Sequence, residues 1–210
     1  MKHLIIYVHL LSFCVFTGIA DELSLKLLCL GDSLTEGYGV LKDEAFPALL
    51  QKQFTEKGLS VKVINSGQSG STSKNGLKRL KWLSKMKPDY VLLALGANDG
   101  LRGLDLREMQ ANLKSVIEYA LVNKIKVILA GMKIPPNYGP EYTQEFENIY
   151  FRLAEQYEIP LIPFLLEGVA GQRELNLPDG IHPTSQGQNI VASNVMKVLL
   201  PLITKELSNE

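Results

Sequence analysis

The sequence predicts an α/β fold, a parallel sheet with helices on both faces. Three observations lead to it. Short apolar runs alternate strictly with helix-period patterns, the order that parallel sheets require. Residues 90–95 (Tyr-Val-Leu-Leu-Ala-Leu) are apolar throughout, as befits a strand buried on both faces. Polar, glycine-containing loops follow the first three runs, at the carboxyl edge where open parallel sheets bind ligands.

The elements follow in order. Residues 25–30 read as the first strand and 45–57 as an amphipathic helix. Residues 61–64 form a second strand, 76–86 a second helix and 90–95 the third strand. Leu106–Val122 is apolar at 106, 109, 113, 116, 117 and 120, a helical period. Residues 127–130 are the fourth strand. A helix over 142–157 carries Phe146, Ile149, Tyr150 and Leu153 on one stripe. A short fifth strand at 160–163 and a helix from 185 to about 205 close the chain. No repeat, low-complexity tract or linker divides residues 21–210, which predicts a single domain.

Composition narrows the function classes. Apolar residues make up 46% of the 210, so the chain is globular rather than disordered. Lys plus Arg and Asp plus Glu both number 22, so net charge supplies no attraction to nucleic acid or to an anionic membrane surface. Residues 1–20 read as a secretory signal peptide. A weakly basic start leads into an apolar run over 4–20 that ends in Gly18-Ile19-Ala20 and is followed by Asp21-Glu22. An uncleaved anchor is the alternative, but the run lies at the bottom of the ~17–25-residue spanning range and contains His9. The expected location is periplasmic or secreted. Cleavage leaves one cysteine, Cys29, in the first strand; it forms no internal disulfide and reads as a small buried hydrophobe.

The chemistry-bearing residues sit in the loops. Ser33, in Gly31-Asp32-Ser33-Leu34, follows the first strand. It reads either as a nucleophile presented at the sheet edge or as a helix N-cap. The segment is no Gly-x-Ser-x-Gly elbow, because residue 35 is Thr, and the spacing of Gly31, Gly37 and Gly39 is not that of a dinucleotide fingerprint. His182 is the only histidine beyond residue 9, and Asp179 lies three residues before it. A carboxylate at that spacing can hold Nδ1–H and leave Nε2 to accept a serine proton. Pro178 and Gly180 suit a loop, and Pro183 suits the first turn of the last helix. The Ser33 and Gly70 backbone N–H groups and the Asn98 amide are candidate oxyanion donors. Turn chemistry for Gly67 and Gly70, and an Asx-turn for Asn98, are the plainer alternatives. One histidine and one cysteine beyond residue 20 cannot build a nitrogen- and sulfur-rich zinc site, and no phosphate loop is present; no metal or cofactor is expected.

At these residues the chain resembles the GDSL, or SGNH, hydrolase family. The four letters fall in order on Ser33, Gly70, Asn98 and His182, and Asp179 completes a triad. Segments 31–39, 96–104, 134–142 and 179–183 are similar to the bacterial thioesterase, arylesterase and lysophospholipase branch. The resemblance implies a three-layer α/β/α, flavodoxin-like fold with a five-stranded parallel sheet. It also implies hydrolysis of acyl esters and thioesters through an acyl-serine, without a cofactor. Spacing from Asn65 assigns the oxyanion role to Gly70 rather than Gly67. Leu101, Leu104, Ile134, Pro135 and Tyr138, with Phe164 and Leu165, are candidates to line an acyl chain, and could equally be core. The expected partner is a small acyl ester or thioester, with no nucleic acid and no stable anchor after signal cleavage, and the chain a monomer. Acyl-CoA is cytosolic, so lysophospholipids and aryl or other acyl esters suit an exported enzyme better. A carbohydrate O-acetylesterase and a non-catalytic lipid- or glycan-binding domain are the alternatives.

Overall fold

A computed structural model describes residues 24–208. The signal segment lies outside the described residues. Five parallel strands form the sheet: β1 (Leu25–Gly31), β2 (Val61–Gly67), β3 (Tyr90–Ala94), β4 (Lys126–Ala130) and β5 (Leu161–Ile162), in the order β2-β1-β3-β4-β5. The chain moves from β1 outward to β2, then returns to the other side of β1 for β3. That reversal opens a crevice beyond the carboxyl ends of β1 and β3.

Two helix groups cover the sheet. One pairs α2 (Phe46–Glu56) with α7 (Ser185–Leu207). The other stacks α3 (Gly76–Leu83), α5 (Leu106–Val122) and α6 (Pro140–Gln156). Their apolar stripes meet strands β1 and β3, where Leu27, Leu28, Leu30, Leu92 and Leu93 are fully buried. Each such leucine contributes about 1.5–3 kcal/mol of transfer free energy. Cys29 is buried among them, and burial pushes its thiol pKa far up, so it behaves as a hydrophobe.

Caps explain the helix starts. Asp105 accepts from Arg107 N–H ahead of α5, and Thr184 accepts from Gly187 N–H ahead of α7. Pro183 therefore lies before the last helix, not in its first turn; it forms a bridge with Asn176. The helix expected over 76–86 is α3 followed by a tighter 3-10 turn, Ser84–Met86, which Lys87 ends in the left-handed conformation ahead of Pro88. Two short helices carry no periodic signal in the sequence: α1 (Ser33–Glu36) and α4 (Ala97–Leu101). Both sit at the crevice.

Candidate active site

The site begins where β1 ends. A side chain at Gly31 would sit 1.9 Å from Thr35 Oγ1, so the turn into α1 closes only around glycine. Asp32 caps α1, its Oδ1 accepting from Leu34 N–H at 3.0 Å. The cap is thus Asp32, which leaves the Ser33 hydroxyl outside the helix's own hydrogen bonding. Gly37, left-handed at φ 85°, ends α1 after one turn.

Ser33 Oγ lies 2.9 Å from His182 Nε2, and His182 Nδ1 lies 2.8 Å from Asp179 Oδ2. The other Asp179 oxygen accepts from the N–H groups of Ile181 and His182, both at 3.0 Å. One carboxylate therefore shapes the loop and orients the ring. Burial pushes the Asp179 pKa up, but the Ile181 and His182 contacts outweigh it and leave the group below its ordinary value. The loop closes on itself through Leu177 N–H to His182 O at 2.7 Å. Tyr38 covers the imidazole, ring centroids 4.5 Å apart.

Gly70 and Asn98 face the same cavity as Ser33. Gly70 has φ +76°, a conformation that side chains disfavour. Its loop is tied on one side by Glu36, which accepts from both N–H and Oγ of Ser69. On the other side Arg102 donates to Gly70 O at 3.0 Å and to Asn98 Oδ1 at 3.4 Å. Asn98 Nδ2 donates to Ser71 O at 3.0 Å and, at a long 3.4 Å, to Asp32 Oδ2. Gly67 has a different reason to be glycine: a Cβ there would lie 2.0 Å from Glu36 N, where β2 meets α1. Asp99 accepts from Ser73 N–H and Oγ–H at 2.8 and 2.6 Å.

Asp32 is 2% exposed, and burial raises its pKa to about 6 against the opposing effects of Leu34 N–H, His182 and Asn98. Among the described residues no group of three or more His, Cys, Asp or Glu side chains could hold a metal ion.

A groove of about 560 Å³ opens beside Ser33. Its apolar wall includes Leu101, Met132, Ile134, Pro135, Phe164 and Leu166. Three candidate acyl-lining residues, Leu104, Tyr138 and Leu165, are not in it. Leu104 lies past the left-handed turn at Gly103, 42% exposed, and its carbonyl accepts from Tyr142 OH. Tyr138 supports the wall from behind, donating from its hydroxyl to Leu101 O at 2.6 Å. Leu165 is core, 1% exposed. The sequence does not single out Met132, Leu166 or Arg102; their place at the site emerges only in three dimensions.

The profile of the GDSL-like Lipase/Acylhydrolase family matches residues 29–190, which spans every element of this site. The chain belongs to that family. It is similar to Esterase TesA of Pseudomonas aeruginosa, 41% identical over 178 residues, 84% of this chain and 89% of that protein. It is also similar to Thioesterase 1/protease 1/lysophospholipase L1 of Escherichia coli K12, 37% identical over 181 residues, 86% of each chain. The crystal structure of TesA superposes with a TM-score of 0.82 and 41% identity, covering 84% of this chain and 99% of that one. The parallel five-stranded sheet flanked by helices is the family architecture. The chain is an enzyme of this group, a serine hydrolase of carboxylic ester and thioester bonds.

Proposed function

We propose that this GDSL hydrolase cleaves medium-chain acyl esters and thioesters by two-step acyl transfer from Ser33. The observation that carries it is the unbroken Ser33–His182–Asp179 chain of 2.9 and 2.8 Å at the mouth of an apolar groove. Ser33 Oγ attacks the carbonyl carbon, and its proton passes to His182 Nε2. Asp179 holds Nδ1–H and balances the imidazolium. Negative charge moves to the former carbonyl oxygen, which the N–H groups of Ser33 and Gly70 and the Asn98 amide receive. The oxyanion takes over the Asn98 proton that otherwise makes the long contact to Asp32. Arg102 holds both donors by bridging Gly70 O and Asn98 Oδ1. Collapse expels the alcohol or thiol, which His182 protonates. Water then attacks the acyl-serine, gives a proton to His182, and the acid leaves as Ser33 recovers its hydroxyl.

The groove wall favours acyl groups long enough to reach Ile134 and Phe164. Each buried methylene is worth ~0.8 kcal/mol at most. Relatives named as an esterase and as a thioesterase and lysophospholipase support acyl esters, acyl thioesters and lysophospholipids as substrates. The apolar start of the chain supports export, with hydrolysis outside the cytoplasm by residues 21–210 as one domain.

Aryl esters of increasing chain length test the proposal. kcat/KM should rise from acetyl toward about octanoyl. Ile134→Asp should flatten that rise and spare acetyl ester turnover. An optimum at acetyl, falling steeply by butanoyl, would refute the acyl-groove assignment and favour an O-acetylesterase.

A further inference from the structure

The outer face of α3 carries a feature that the hydrolase site does not use. Residues 73–88 contain Lys74, Lys78, Arg79, Lys81, Lys85 and Lys87 and no acidic residue, in a chain whose charges balance overall. Positions 74, 78, 81, 82 and 85 follow helical spacing and share one stripe. The opposite stripe, with Gly76, Leu80 and Leu83, is buried. All five lysines are exposed. None of them forms an ion pair among the described residues. On α5, which packs against α3, Glu118 is already engaged by Lys114 and by Tyr157.

In the middle of this cationic stripe stands Trp82, 64% exposed, with Met86 at 42%. Two large apolar side chains ringed by lysines are what a lipid interface accommodates. An indole rests at headgroup depth, and lysine stems lie along apolar surface while their ammonium groups reach phosphates. A nucleic-acid surface would favour arginine forks. The one arginine here turns inward instead, donating to Gly31 O and Ser66 O.

We propose that the α3 face is a docking surface for an anionic lipid bilayer. Lys74, Lys78, Lys81, Lys85 and Lys87 would meet the headgroups, and Trp82 and Met86 would enter the interface. Among the described residues no helix is long and apolar enough to cross a membrane, so the contact is peripheral. The face is fastened to the catalytic edge: Ser73, one residue ahead of Lys74, binds Asp99, the neighbour of Asn98.

Trp82 is the only tryptophan in the chain, so its emission reports on this face alone. The full chain is titrated with phosphatidylcholine vesicles and with vesicles containing about one-third phosphatidylglycerol, at low and high salt. The emission of Trp82 should shift to the blue on the anionic vesicles at low salt, and salt should weaken the shift. Insertion of the apolar segment 4–20 alone would depend on neither lipid charge nor salt and would leave Trp82 emission unmoved. The Lys78→Glu/Lys81→Glu/Lys85→Glu variant should lose about 100-fold in partitioning to anionic vesicles, roughly fivefold per lysine. Its hydrolysis of a soluble short-chain aryl ester should stay within about twofold of wild type, showing an intact fold. No shift on anionic vesicles would overturn the proposal, and so would equal partitioning by the triple variant. A shift with a DNA duplex but not with vesicles would also overturn it and make the face a nucleic-acid site.

Discussion

The two sides of the Ser33–His182 contact are built differently. The turn from β1 into α1 that carries Ser33 is buried and dictated by packing: Gly31 and Gly67 admit no side chain, and Asp32 and Thr35 are almost wholly enclosed. The loop that carries His182 is more open, with the Asp179 side chain 39% exposed, and hydrogen bonds within the loop hold its shape. The two aspartates beside the histidine record the contrast. Burial raises Asp32, whereas local N–H donors and the imidazole hold Asp179 low. Packing places Ser33; hydrogen bonding places His182. Substitutions at the first should therefore endanger the fold, and those at the second the chemistry.

Ser33→Ala is the largest effect expected on rate and is the exception that sharpens this contrast, because it removes one oxygen from the packed side without touching the packing. kcat should fall by about 10⁴–10⁶-fold with thermal stability unchanged. Asp179→Asn comes next, at about 10³–10⁴-fold in kcat, again with little change in melting temperature. Unfolding of that variant would mean that the loop, too, is a packing element. Asn98→Ala should lower kcat by about 10²–10³-fold with a smaller change in KM. A change confined to KM would make Asn98 a ground-state contact. Arg102→Met should cost about 10–100-fold in kcat, since the donors remain but are less well held, and Arg102→Lys should recover part of the loss. Equal loss in both variants would remove the positioning role.

The remaining effect is on stability and separates the two aspartates by sign. The folded pKa of Asp32, about 6, lies above the ordinary carboxylate value, so the folded chain holds this proton more tightly than the unfolded chain. Its contribution is fully present at low pH and is lost as pH rises from about 4 through 6, by up to about 3 kcal/mol. Asp179 lies below its ordinary value, so its contribution is present above that value and is lost as pH falls through the folded pKa. Denaturant melts of wild type and Asp32→Asn across pH 4–8 check this: the variant should lack the decline between pH 4 and 6. An unchanged decline would assign it to another group.

Legibility in the sequence followed the range of the signal. The strands and α5 are readable because periodicity is local, and the Ser33, Gly70, Asn98 and His182 blocks because they lie in loops after predicted elements. The short helices α1 and α4, of four and five residues, are too short to show a period. The groove wall was the least legible part. Leu101 lines it and Leu104 does not, a difference made by the turn at Gly103, and Tyr138 serves it through a hydroxyl rather than a ring face. Met132 and Leu166 are indistinguishable from core residues until the loops after β4 and β5 are folded beside Ser33. The lysine stripe around Trp82 was hidden by a whole-chain charge of zero.

The central claim is that acyl transfer passes through Ser33 activated by His182. It is tested most directly by treating the protein with a fluorophosphonate and mapping the adduct by peptide mass spectrometry while following ester turnover. One adduct on Ser33, with activity falling in proportion and no adduct in Ser33→Ala, is the result predicted. An adduct elsewhere, or full turnover after stoichiometric labelling of Ser33, would contradict it.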